Sequence, residues 1–113
     1  MLLPDADRAE IDPRKLHGYL LSPTHPIGRF KARFFGALGY SAEGWQDLGA
    51  DLRTQHLTQD ATPDESLADG QLFTIGAILK GPNGQSAMVR SVWFVPKAGG
   101  VPRFVTAYPG GAK

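Results

Sequence analysis

Two hydrophobic periodicities divide the chain. Up to about residue 56 the apolar residues recur at the spacing of amphipathic helices, and from Gln71 onward they alternate with the two-residue period of strands. This pattern predicts an α+β domain in which two or three N-terminal helices pack on one face of a C-terminal antiparallel β-meander sheet. We expect a loose N-terminal lead-in over residues 1–12, a single domain over 13–109 and a C-terminal tail over 110–113.

The first two helices are defined by their caps. The first begins at Pro13 after the cap residue Asp12, ends near Leu21 and has Leu16, Tyr19 and Leu20 on its apolar face. The second is capped by Thr24 or His25 and stops at a glycine after residue 38. Its expected buried stripe consists of Ile27, Phe30, Phe34, Ala37 and Leu38.

A third helix precedes an acidic, turn-rich segment. Ser41 is its predicted cap, and it ends near His56. Its apolar stripe consists of Trp45, Leu48 and Leu52. Residues 59–70 are polar and are predicted to form a loop or a short irregular edge.

The sequence Gly81-Pro82-Asn83-Gly84 between two alternating segments predicts a β-hairpin. The expected strands cover 71–80, 86–95 and 101–108, with a second turn over 97–100. A bulged turn that pairs Gly81 with Gln85 determines the register of the hairpin. The apolar face then pairs Leu79 with Ala87, Ala77 with Val89, Ile75 with Ser91, and Phe73 with Trp93.

The same register places Arg90 on the opposite face, across from Gly76, which leaves room for a ligand beside the guanidinium. Two registers stay open for the last strand. In the alternative register, Thr106 and Tyr108 enter the core, where their hydroxyls would need buried partners. The preferred register sends Val101, Val105 and Ala107 to the core and places Phe104, Thr106 and Tyr108 beside Arg90.

Charge is segregated along a chain whose formal net charge is only +1. Residues 13–40 and 71–113 each contain five basic residues and no acidic one, whereas residues 41–70 contain seven acidic residues and one basic residue. Two acid-free segments indicate one basic face, for which a phosphate-bearing ligand is the natural partner. Ordinary clustering of surface charge is the alternative.

Five residues are candidates for chemistry on phosphate. Arg90 is suited to clamp a phosphate with its planar fork, and Thr106 and Tyr108 to donate hydrogen bonds to it. Lys31 is expected to extend toward the sheet edge and supply a further phosphate contact. His25, at the start of the second helix, is the candidate general acid or base. The structural alternatives are a solvated arginine, a helix-capping histidine and ordinary strand propensity.

Composition and the absence of known motifs exclude several kinds of functional site. The absence of cysteine excludes disulfides and thiolate chemistry, and three widely spaced histidines argue against a metal site. We expect no cofactor, because no phosphate loop and no Ser–His–Asp spacing occurs. We expect neither a secretory leader nor a membrane span, and therefore a cytoplasmic location without a membrane partner.

Three stretches of residues carry a family resemblance. They are Lys15-Leu16-x-x-Tyr19-Leu20-Leu21-x-Pro23-x-His25-Pro26-x-Gly28-x-x-Lys31-Ala32-x-x-Phe35 with Leu38-Gly39-Tyr40, then Gly81-Pro82-Asn83-Gly84 with Val92-Trp93, and finally Pro102 to Pro109. Over residues 15–109 the chain resembles a bacterial domain family of unknown function, which occurs as small free-standing proteins and at the ends of toxin-like and phage-associated proteins.

The order of helices and sheet looks like that of the barnase–EndoU–colicin–RelE group of metal-independent RNases. This likeness implies cleavage by attack of the ribose 2′-OH on the adjacent phosphate. His25 would then be the acid or base, Arg90 and Lys31 would stabilise the charge, and Thr106 and Tyr108 would position the phosphate.

The expected function is therefore an RNase-like toxin domain that acts on RNA. The alternative is a non-catalytic interaction module of a two-gene or phage-derived system, with a small cognate or immunity protein as its partner. The acidic segment 41–70 or a free sheet edge would form its docking surface.

Overall fold

Helices precede a four-stranded antiparallel sheet of order β1-β2-β3-β4 in the computed structural model, which describes residues 1–110. The α+β prediction is therefore confirmed. The strands are β1 (Thr62–Leu67), β2 (Gly70–Lys80), β3 (Ser86–Pro96) and β4 (Arg103–Pro109). Of the predicted C-terminal tail, residues 111–113 lie outside the described residues.

Three helical units and a short 3₁₀ turn (Ala6–Arg8) form the N-terminal half. Helix α1 (Pro13–Lys15) continues directly into a π-helical turn (Leu16–Leu20), and α2 covers Gly28–Gly36. Helix α3 (Trp45–Asp51) continues into a second π-helical turn (Leu52–His56). No helix within residues 1–110 is both long enough and apolar enough to cross a membrane.

The predicted cap of the first helix is confirmed. The Asp12 carboxylate accepts a hydrogen bond of 2.9 Å from the backbone N–H of Arg14, and Pro13 occupies the first turn. The Arg14 side chain also donates to this carboxylate, at 2.8 Å and 3.2 Å. These hydrogen bonds lower the pKa of Asp12 to about 2.

The hairpin register is confirmed in full. Gly81 N–H donates to the Gln85 carbonyl at 2.9 Å, and all four predicted core pairs form between β2 and β3. Gly84 has φ = 87°, the left-handed conformation that the turn requires and glycine adopts without steric cost. Turn chemistry alone therefore determined which residues face the core.

The segment after the third helix contains an edge strand that sequence periodicity missed. β1 pairs antiparallel with β2, with a bulge between Pro63 and Ser66, so the loop interpretation of residues 59–70 is wrong and the irregular-edge interpretation is right. Most of its side chains are exposed, so the strand lacks an alternating apolar pattern. Backbone pairing, rather than burial, forms this strand.

Only part of the predicted stripe of the second helix is buried: Leu38 is buried and Phe34 packs against the core, but Ala37 is exposed. Ile27 and Phe30, predicted to be buried, are 63% and 60% exposed, whereas Phe35 is fully buried. Gly28 packs so closely on the preceding helical turn that a Cβ there would lie 2.0 Å from the Tyr19 carbonyl oxygen. This close approach sets the rotation of the helix about its axis.

One hydrophobic core lies between the helices and the sheet. The helical half contributes Leu16, Leu20, Phe35, Leu48 and Leu52, and the sheet contributes Ile75, Leu79, Val89, Trp93, Phe104 and Ala107. The predicted lead-in also contacts this core through Leu3 and Ala9, which are 2% and 4% exposed. Glu10 continues the contact as a parallel bridge to Arg103 at the β4 edge.

A buried polar pair joins the third helical unit to the core face of β3. Nδ1 of His56 lies 2.7 Å from Ser91 Oγ, which also accepts a hydrogen bond of 2.9 Å from Trp93 Nε1. His56 is fully buried, and its Nε2 has no hydrogen-bond partner within residues 1–110. Burial lowers the pKa of the His56 ring, although the nearby Ala77 carbonyl partly opposes this shift. The folded state therefore favours the neutral ring.

This burial makes stability depend on pH. The unfolded ring titrates near 6.5, whereas the folded ring takes up its proton only at lower pH. As the pH falls through this window the unfolded state binds more protons, so we expect the free energy of unfolding to decrease. The check is urea denaturation between about pH 7.5 and about pH 5, with His56→Gln, which lacks the titrating ring, as the reference. Equal pH dependence of the two proteins would contradict this origin.

Candidate anion-binding site on the open sheet face

A bulge in β4 decides which side chains join Arg90. Arg90 pairs with Tyr108, and Val92 with Thr106, as in the preferred register. The register then shifts, so that Trp93 pairs with Phe104 and the Phe104 ring packs in the core at 5.2 Å from that of Trp93. The prediction was right for Thr106, Ala107 and Tyr108 and wrong for Phe104 and Val105, because the extra residue in β4 reverses the alternation. Val101, also predicted to be in the core, precedes β4 and is only partly buried.

Arg90 lies over Gly76, as the register predicted. Its Nη1 would be 3.4 Å from a Cβ at Gly76, so the missing side chain provides the space that the guanidinium occupies. The surrounding cleft has a volume of about 380 Å³. It is lined by Thr62, Pro63, Asp64, Thr74, Gly76, Arg90 and Tyr108.

One carboxylate shares this cleft. Asp64 Oδ2 accepts a hydrogen bond of 3.0 Å from Thr74 Oγ1. Two ion pairs occur within residues 1–110, one between Met1 and Asp60 and one between Arg14 and Asp12. Asp64 and Arg90 therefore do not form an ion pair with each other. The guanidinium of Arg90 therefore has no carboxylate partner in the described part of the chain.

Lys31 crosses from the helical layer to the open face at the β4 edge. Its Nζ donates hydrogen bonds to Thr106 Oγ1 at 2.8 Å and to the Tyr19 hydroxyl at 3.1 Å. The ammonium also lies 5.8 Å from the centre of the Tyr108 ring. The predicted extension of Lys31 toward the sheet edge is what the structure shows, and its partners within residues 1–110 are neutral.

Tyr19 belongs to this cluster and was missed as a functional residue. Burial raises its pKa, but the hydrogen bond from Lys31 and the neighbouring Thr106 hydroxyl outweigh burial, so the pKa of Tyr19 lies below its ordinary value. Its place on the apolar stripe of the first helix suggested a core residue. Its hydroxyl could have indicated a polar role in the sequence, since a tyrosine on a buried face needs a hydrogen-bond partner.

His25 acts as a helix cap. Its Nδ1 accepts hydrogen bonds of 3.0 Å from the backbone N–H groups of Ile27 and Gly28, which places the ring proton of the neutral form on Nε2. The ring also packs edge-on against Tyr19, with centroids 4.9 Å apart. Protonation of Nδ1 would break both cap bonds, so this geometry favours the structural interpretation of His25 over an acid–base role.

The structure thus places Arg90, Thr106 and Tyr108 on one sheet face and links Thr106 through Lys31 to Tyr19 at the β4 edge. Within the described residues, no group of three or more His, Asp or Glu side chains could hold a metal ion. The arrangement offers cations and hydroxyls, the groups that bind phosphate oxygens.

The fold and this cluster define an α+β domain with a basic patch on the open face of its sheet. The chain belongs to the family described as a domain of unknown function (DUF6883), whose sequence pattern matches residues 2–111. The resemblance to an uncharacterised domain family is confirmed at this level. No curated protein and no solved structure matches the chain. The toxin-like context and the RNase-like layout stay predictions.

We expect His25→Ala to lower the free energy of unfolding by about 1 kcal/mol, because two backbone N–H groups lose their acceptor. His25→Asn should retain most of the stability, since the amide oxygen is also an effective cap. Urea denaturation of both variants at neutral pH measures the difference. An Asn variant as unstable as the Ala variant would contradict the capping role.

Proposed function

We propose that this domain binds RNA through its phosphates on the open sheet face and cleaves it as a metal-independent, RNase-like toxin. The observation that carries the proposal is the pair of cations Arg90 and Lys31, which both neighbour Tyr108 and neither of which has a carboxylate partner within residues 1–110. Thr106 and Tyr108 lie on the same face and supply hydroxyl groups.

The spacing of these groups suits a phosphodiester. Arg90 and Tyr108 form one cross-strand pair, and Val92 and Thr106 form the next pair on the same face. Such pairs are about 7 Å apart along a strand, a separation that long basic side chains can bridge. The Arg90 fork is suited to two phosphate oxygens, while Lys31 stabilises the extra negative charge of the phosphorane.

Tyr19 is the group that we assign to proton transfer. In the proposed step the 2′-oxygen loses its proton to solvent and bonds to phosphorus, while the bond from phosphorus to the 5′-oxygen breaks. The Tyr19 hydroxyl donates its proton to that leaving oxygen, and the adjacent Lys31 ammonium stabilises the resulting phenolate. The products are a 2′,3′-cyclic phosphate and a free 5′-hydroxyl, and Tyr19 regains its proton from water.

Arg90→Ala should weaken RNA binding by about 10- to 100-fold and abolish cleavage, because a charged hydrogen-bonding group is lost. The assay follows labelled tRNA and mRNA in the presence of EDTA, with binding measured at several salt concentrations. Arg8→Ala is the matched control, since Arg8 is an exposed arginine of the 3₁₀ turn. Wild-type binding and cleavage by a folded Arg90→Ala protein would refute the site.

Tyr19→Phe separates chemistry from binding. Because the ring is kept and only the hydroxyl is lost, we expect RNA affinity to change little and cleavage to slow by about 10²- to 10⁴-fold. Single-turnover cleavage with saturating protein measures this loss. Loss of cleavage in His25→Asn but not in Tyr19→Phe would instead assign proton transfer to His25.

The second candidate function is a non-catalytic interaction module. It is supported by the two apolar side chains that α2 leaves exposed, Ile27 and Phe30. A folded wild-type protein that neither binds nor cleaves RNA would favour this candidate.

A further inference from the structure

Two aromatic rings lie on the open face, each beside an arginine in the neighbouring strand. Arg90 of β3 pairs with Tyr108 of β4, and Phe94 of β3 pairs with Arg103 of β4. In the first pair the arginine belongs to β3 and the aromatic residue to β4, and in the second pair this order is reversed. Arg90 and Phe94 are four residues apart, which corresponds to about 13 Å along the strand.

Two glycines of β2 allow the β3 side chains to extend across the sheet. A Cβ at Gly70 would lie 2.4 Å from Cζ and 2.5 Å from Cε1 of Phe94, so the ring occupies the space above this glycine. At Gly76 the fit is looser, since a Cβ there would make an ordinary contact of 3.4 Å with Nη1 of Arg90. The surface of the sheet therefore carries an aromatic ring and a guanidinium, both of which stack well on nucleic-acid bases.

Each ring also has a cation nearby. The Arg103 guanidinium carbon is 5.4 Å from the centre of the Phe94 ring, and Lys31 Nζ is 5.8 Å from that of Tyr108. A nucleotide needs both features, because its base stacks on a π-surface while its phosphate pairs with a positive charge. Neither feature alone would distinguish a nucleic acid from a simple anion.

We infer that the RNA recognised on this face is single-stranded and that its bases stack on Phe94 and Tyr108. The inference rests on the proposed function of the same face, and it specifies the class of substrate. In a duplex the bases are paired and stacked on one another, so they are not available to the two rings. Because every base has a π-face, this recognition should tolerate changes of sequence.

The test uses a fluorescent, unstructured RNA of about ten nucleotides, within the usual size of single-strand sites. Its 2′-O-methyl groups prevent attack by the 2′-oxygen, so binding is measured without cleavage. The comparison ligands are the same strand annealed to its complement and an abasic strand that keeps every phosphate. We expect the wild-type protein to bind the intact single strand about five- to 100-fold more tightly than either comparison ligand.

Variants locate the stacking surface. Phe94→Leu and Tyr108→Leu should each lose about five-fold or more of the affinity for the intact strand. Affinity for the abasic strand should change far less. Tyr108→Phe should retain the preference for bases, because its ring remains. Ile78→Ala is the control, since Ile78 is an exposed apolar residue of the same sheet face that carries no aromatic ring.

Three outcomes would overturn the inference. Equal affinity of the wild-type protein for the abasic and intact strands would exclude stacking, and tighter binding of the duplex would exclude single-strand recognition. If Arg90→Ala still weakens binding in either case, phosphate recognition by this face stands. Absence of all RNA binding would overturn the inference and the proposed function together. The abasic comparison needs only wild-type protein, so it decides the question even if Phe94→Leu does not fold.

Discussion

The ammonium group of Lys31, which is half-buried, connects the helical layer to the sheet at the candidate site through its hydrogen bonds. Lys31 of α2 binds the hydroxyl of Tyr19 in the π-helical turn and that of Thr106 in β4. Both partners are neutral, so neither supplies a negative charge to balance the ammonium at the margin of the open face. Partial burial of a cation is costly, and an anion bound beside it would offset that cost. The fold thus holds a positive charge in place before any ligand arrives, which is how electrostatic preorganisation operates.

Backbone irregularities, rather than unusual side chains, shape the surface around that charge. The β4 bulge lets one strand place Phe104 in the core and Thr106 on the open face. Gly70 and Gly76 of β2 provide space for the large β3 side chains Phe94 and Arg90. Bulges are common beside functional sites because they redirect a side chain without breaking the sheet. Here they collect basic and aromatic groups on one face and leave the core face apolar.

His25, just before α2, and Tyr19, in the π-helical turn after α1, divide the roles that the sequence had assigned to the histidine alone. His25 uses its Nδ1 to cap the helix, and its ring supports Tyr19 from the side. Tyr19 faces the ammonium and carries the hydroxyl that we assign to proton transfer. A histidine committed to two backbone N–H groups is well suited to hold a helix in place. The same commitment makes proton exchange at Nδ1 unfavourable, since it would remove the acceptor of both bonds.

Local chemistry let the sequence by itself determine the α+β class, the Asp12 cap, the hairpin and its register, because turns, caps and alternation depend on neighbouring residues. It also named Arg90, Thr106 and Tyr108, which share the open face, and Lys31, which binds Thr106; their role stays a prediction. Tertiary structure alone decided the rotation of α2, the pairing of β1, the bulge in β4 and the place of Tyr19. Each of these depends on contacts that periodicity does not describe: Gly28 packing on another helical turn, a polar edge strand paired with β2 through its backbone, and a tyrosine hydroxyl that meets a lysine twelve residues later. Periodicity predicts that a residue is buried, but it does not predict which residue it contacts, because those contacts form only when the helices pack on the sheet.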